Sequence, residues 1–161
     1  MIAVGITATL LALSSPAAPA AGEVYARLSI PAIGLRALAR EGVSATVLDR
    51  GPGHYPGTSA PGHGGTVAIA GHRVTHTYPF LRLNELRRGD TISVTYRSRR
   101  HDYRVVAMRI VRPTEVWTLG PQRVETLVLT ACHPPGRDAH RLVVFARPAT
   151  YVSSPCVTTQ P

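Results

Sequence analysis

Three side chains in this sequence are suited to act together: Cys132, His72 and Arg141. Cysteine supplies a nucleophile whose reactive form is the thiolate. Histidine takes and returns a proton near neutral pH. Arginine keeps its charge, and can hydrogen-bond the oxyanion of a tetrahedral intermediate or hold substrate carbonyls. A fixed positive charge nearby also favours a thiolate. Together they form an acyl-transfer set that needs neither metal nor cofactor. Taken singly, each has a plainer reading. A buried strand cysteine usually serves as a small hydrophobe. A histidine beside glycine is usually structural, and an arginine opening a strand is usually solvated. Their positions argue for the joint reading. His72 closes "TVAIAGH" (66–72), Cys132 follows the apolar "TLVLTA" (126–131), and Arg141 opens "RLVVFA" (141–146). Neighbouring strand ends converge at one rim of a sheet, so residues far apart in sequence meet there.

The seven histidines offer a rival. His72 and His76 have the spacing of a zinc-binding helix, and His54 and His63 lie in the preceding loop. A zinc site needs its pair on a firm element with a further ligand close by. Thr75, Thr77 and Tyr78, followed by Pro79, argue against a helix across 72–76. The expectation is therefore no metal. The nine carboxylates are dispersed and suggest no calcium cluster.

The elements that must hold these residues read as short strands. "VYARLSI" (24–30) and "GLRALAR" (34–40) alternate. "SATVLDRG" (44–51) has the start and stop signals of one or two helical turns. "PGHYPGTSAPGHGG" (52–65) is a loop by composition. "TYPFLRLNELRRG" (77–89) spaces Phe80, Leu83 and Leu86 as a helix would. "DTISVTY" (90–96) and "DYRVVAMRIV" (102–111) flank a hairpin, and 112–125 is a longer connection. Seven or eight strands with two short helices predict a closed or nearly closed antiparallel barrel, which hides its edges.

Composition bounds the rest. The 161 residues suit one domain, and 44% apolar content supplies a core. Fourteen glycines and fourteen prolines favour turns between short strands. The net charge is +9, carried wholly by arginine, and suits anionic lipid headgroups, wall polymers or nucleic acid. The arginines are scattered apart from "RSRR" (97–100) and aromatics are 6%, which argues against nucleic acid. The apolar stretch Ile2–Leu13 has signal-peptide length, and Pro16 and Pro19 oppose a spanning helix. An exported protein is expected, with residues 1–22 either a cleaved signal or a membrane anchor. Residues 23–148 form the catalytic domain and 149–161 a tail. Two cysteines make no disulfide framework. Cys156, in the tail, is read as incidental; a switching disulfide with Cys132 is the sharper alternative.

"TLVLTACHP" (126–134), with "AIAGHR" (68–73) upstream and Arg141 downstream, resembles the sortase family of Gram-positive cysteine transpeptidases. "LSIPAIGL" (28–35), "GHYPGTSAPGHGGTVAIAGHR" (53–73), "YPFLRLNELRRGDTISV" (78–94) and "RLVVFA" (141–146) extend the likeness over about residues 24 to 147. The histidine–proline after the cysteine is most similar to class E, with class D as its neighbour. The resemblance implies an eight-stranded β-barrel with a few short helices. It implies His72, Cys132 and Arg141 as catalytic residues. It implies cleavage between Thr and Gly of an LPxTG- or LAxTG-like C-terminal sorting signal on a surface protein or pilin, with transfer to an amine of a cell-wall precursor or pilin. Where sortases usually carry Thr before the cysteine, this chain has Ala131, with Thr130 one position earlier. Successive strand residues face opposite ways, so Thr130 does not stand in for it. By the same resemblance the 112–125 connection walls the substrate groove, making Val116, Trp117 and Leu119 candidate contacts, with Tyr78 a further one. Trp117 plugging the barrel end is the alternative.

Two other readings compete. An L,D-transpeptidase also uses cysteine, but in a Ser-His-Gly-Cys setting this chain lacks. A non-enzymatic cationic barrel that binds cell wall would keep Cys132 as structure.

Overall fold

The computed structural model describes residues 19–137 and 139–150. The expected export segment and tail, Cys156 included, fall almost wholly outside the described residues.

Eight strands close into a barrel. They are β1 (Val24–Ile30), β2 (Leu35–Glu41), β3 (Gly53–His54), β4 (Thr66–Ala70), β5 (Thr91–Tyr96), β6 (Arg99–Val111), β7 (Thr126–His133) and β8 (His140–Pro148). Around the barrel the order is β1-β2-β3-β4-β7-β8-β6-β5. The helical content is small: α1 (Ala45–Leu48) and single 3-10 turns at Pro31–Ile33, Leu83–Glu85 and Val116–Leu119.

Alternation along the strands sorts side chains between two apolar layers. Val67, Ile69, Leu127, Leu129, Ala131, Leu142 and Val144 face the interior, with Leu28, Ile92 and Tyr103 from the other wall. Ala68, Val128, Val143 and Val111 face outward, where Tyr55, Leu119 and Phe145 cover them. β4 is buried at every position because both of its faces are covered.

The barrel departs from the antiparallel expectation at two seams. β2 pairs parallel with β3, and β4 parallel with β7. Parallel neighbours need long crossovers. Residues 42–52, with α1, supply one, and residues 71–125, with the β5–β6 hairpin, supply the other. The hairpin turn narrows to Arg97 and Ser98, both with positive φ (46° and 62°), as a two-residue primed turn requires.

Two local expectations also change. Residues 77–89 form no α-helix; only Leu83–Glu85 turn, as a 3-10 element. Phe80, Leu83 and Leu86 are nonetheless buried, because a three-residue spacing also brings side chains to one side of 3-10 turns. The 52–65 loop contains β3, whose Gly53 lies so near the Gly42 carbonyl that a Cβ would collide with it. His54 follows, sealed inside the fold. Its Nδ1 meets Glu41 Oε2 at 2.8 Å and its ring stacks on Tyr25 at 3.9 Å. Thr58 donates its hydroxyl proton to the Tyr55 carbonyl (2.8 Å), so His54 Nε2 donates to Thr58 Oγ1 (3.0 Å).

Candidate active site

The parallel β4–β7 seam brings two of the three candidates level. Ala70 pairs with Thr130, and Gly71 N donates to the Thr130 carbonyl at 3.0 Å. Two residues further along each chain stand His72 and Cys132. β8 runs antiparallel to β7, so its beginning lies at the same rim, and Cys132 is the direct partner of Arg141. Cross-strand partners share a face with Cβ atoms roughly 5 Å apart. Cys132 lies two residues from Thr130 and four from Val128, on the outer side of the barrel. The nucleophile candidate therefore belongs to an external groove and not to the barrel interior.

His72 and Cys132 line one cavity of about 280 Å³, with Arg73, Val74, Thr75, Gly136 and Arg137. Arg141 is not among its lining residues; its Nη1 donates to the His140 carbonyl at 3.1 Å. Cys132 is partly exposed and is a free thiol.

Arg73 is the residue of "AIAGHR" to which the sequence assigned no task. It is buried, donates to Asn84 Oδ1 (2.6 Å) and the Leu81 carbonyl (3.3 Å), and meets His133 Nδ1 at 3.0 Å. A guanidinium only donates, so His133 Nδ1 accepts and its ring is held by Arg73. Burial lowers Arg73 from the usual arginine range, and the neighbouring Cys132 acts in the opposite direction.

Two further residues at this rim carried no sequence signal. Asp49, the residue that caps α1, places Oδ1 3.4 Å from His72 Nε2 and 3.1 Å from His76 Nδ1. The His72 and His76 rings stack at 5.5 Å. Residues 72–76 are not helical, as expected, yet the loop folds His76 back onto His72 all the same. Tyr55 covers the groove floor, its hydroxyl 3.0 Å from Thr130 Oγ1.

The suggested substrate contacts divide. Thr130 faces outward on the same side as Cys132 and is engaged by Tyr55. Ala131 turns its methyl into the core and can offer the groove only backbone. Leu119 packs on the outer apolar layer. Trp117 stacks on Phe145 (6.3 Å, interplanar 9°) outside the barrel, so it does not plug the barrel end. Val116 is 70% exposed and Trp117 51%, an apolar pair open to a ligand. Tyr78 is exposed on the loop after His72.

A closed barrel thus carries cysteine, histidine and arginine at one rim. The Sortase domain family model matches residues 28–149. The chain is 31% identical to Sortase D of Bacillus subtilis (strain 168) over 137 residues, covering 82% of this chain and 67% of that protein. It is 31% identical to Sortase SrtE1 of Streptomyces coelicolor over 149 residues, covering 83% of this chain but only 42% of that longer protein. Among solved structures it superposes on a Clostridium perfringens Sortase D5 transpeptidase with TM-score 0.73 (26% identity, 80% of each chain). Sortase A from Corynebacterium diphtheriae gives TM-score 0.75 (28% identity, 82% of this chain and 63% of that one). The chain belongs to the sortase family of transpeptidase enzymes.

Proposed function

We propose that this protein is a cysteine transpeptidase that cleaves an LPxTG- or LAxTG-like sorting signal between Thr and Gly and passes the new C-terminus to an amine. The observation that carries the reading is the register at one rim: Cys132 opposite Arg141, and His72 level with Cys132 in the same cavity.

The Cys132 thiolate attacks the threonyl carbonyl carbon. The carbonyl π electrons move to oxygen, and the guanidinium of Arg141 donates to that oxyanion. On collapse the C–N bond breaks, and the departing glycyl amine takes a proton from the His72 imidazolium. A thioester on Cys132 remains. An acceptor amine attacks it, gives its proton to His72, and releases the thiolate. The thioester retains acyl-transfer potential, so a positioned amine competes with water. The exposed Val116 and Trp117 beside Leu119 suit the apolar part of the signal. The substrates of this reading are surface proteins or pilins. The acceptor is a peptidoglycan precursor or a pilin amine, and the enzyme works outside the cytoplasmic membrane. A relative among the solved structures is a pilus-related Sortase C of Group B Streptococcus, which fits a substrate of that kind.

A panel of fluorogenic pentapeptide signals tests the reading. Cys132→Ala abolishes cleavage with little change in melting temperature, and Arg141→Ala lowers kcat by about 10²–10³-fold. Cleavage retained by Cys132→Ala rejects the mechanism.

A further inference from the structure

We propose that Asp49, His72 and His76 form a binding site for a divalent transition-metal ion, zinc by its donor set, and that the ion reversibly silences the enzyme by occupying His72. One ligand atom from each residue lies within 4.8 Å of the other two. Zinc holds imidazole and carboxylate ligands at about 2.0–2.2 Å, which sets neighbouring ligand atoms about 3.3 Å apart in a tetrahedron. Asp49 Oδ1 already stands 3.4 Å from His72 Nε2 and 3.1 Å from His76 Nδ1, so two edges of that tetrahedron are in place. Two imidazoles with one carboxylate is a zinc donor set, and three protein ligands leave a fourth position for water.

His72 Nε2 supplies an independent observation. The atom is shielded from solvent and makes no hydrogen bond, although Asp49 is beside it. A nitrogen withdrawn from water and left without a partner is costly, and it invites a ligand. The backbone contributes as well. His76 has φ of 56°, in the left-handed region that non-glycine residues seldom adopt, within the loop that returns its ring to His72.

The consequence rests on the role given to His72 under the proposed function. A metal ion needs the lone pair that a proton would otherwise occupy. With the ion bound, His72 cannot be the imidazolium that protonates the leaving amine. No covalent or redox step is involved; coordination bonds form, and chelation breaks them.

Binding is measured on the full chain carrying Cys132→Ala and Cys156→Ala, which removes both thiols as competing ligands. Zinc calorimetry should give one site, and cobalt(II) should develop the visible bands of a tetrahedral nitrogen–oxygen site. Adding His76→Ala should weaken zinc at least about tenfold. In the catalytic form, zinc should stop peptide cleavage and a chelator restore it. His76→Ala alone should cleave as well as wild type under chelator but resist zinc. Absence of the cobalt bands, an unchanged zinc affinity in the His76→Ala background, or equal zinc inhibition of His76→Ala and wild type overturns the proposal. If the chelated wild type cleaves no sorting peptide, it is the transpeptidase reading that fails; the cobalt and zinc titrations still decide the metal site.

Discussion

Two of the histidine–carboxylate pairs among the described residues are built to opposite ends. Glu41–His54 is sealed, with side chains 10% and 5% exposed; Asp49–His72 is open, with side chains 37% and 25% exposed. Every nitrogen of His54 has a partner, and Tyr25 stacks on its face. His72 keeps an unsatisfied Nε2 and borders the cavity of the thiol. The same two functional groups, imidazole and carboxylate, are thus a structural joint in one place and open to ligands in the other. Saturation with partners makes the difference, since a group with all its bonds made has nothing left to exchange with a substrate.

The contrast can be broken most sharply at His72. His72→Ala should lower cleavage of a sorting peptide by about 10²–10⁴-fold, the usual contribution of general acid–base catalysis, while thermal unfolding stays near wild type. A large drop in melting temperature with cleavage intact would reverse the assignment of the two pairs.

Next comes the sealed pair. Removing one partner of a buried hydrogen-bonded pair leaves the other unsatisfied, so Glu41→Ala should cost about 1–3 kcal/mol in denaturant unfolding. Asp49→Ala, at the half-open rim, should change stability by no more than about 1 kcal/mol. Equal costs would erase the distinction.

The last effect concerns Ala131. Its side chain packs inside the barrel, so Ala131→Thr should cost about 1–3 kcal/mol through overpacking and a buried hydroxyl. It should leave peptide preference as it is. A change in the preferred signal would mean that residue 131 reaches the groove after all.

Much of the site was legible because strand ends are legible. The apolar runs before Cys132 and after Arg141 mark a turn between paired strands, and "TVAIAGH" delivers His72 to a rim. Asp49 was not legible, because it caps a one-turn helix 23 positions before His72 and only the β2–β3 crossover brings it over. The nearness of His76 to His72 was not legible for a physical reason. The argument against zinc was an argument against a helix, but a loop with one residue at positive φ achieves the same approach. Arg73 could have been noticed as a charge inside an otherwise apolar motif. That it is buried, and bound to Asn84 and His133, is a long-range fact.

Which face of β7 meets the core was decided by closure of the barrel, because the strand is buried on both sides from Thr126 to Ala131. By itself the sequence determined of this strand only that Cys132 and Ala131 face opposite ways, a consequence of the pleat. It also determined the chemistry on offer, since residue types carry that with them. Only the tertiary structure decided that β4 and β7 run parallel, because strand direction depends on how a 55-residue crossover (71–125) is routed and not on any local pattern. That direction is what sets His72 beside Cys132. Which histidine would be sealed and which left open was likewise decided by packing, through partners that the chain supplies from distant positions.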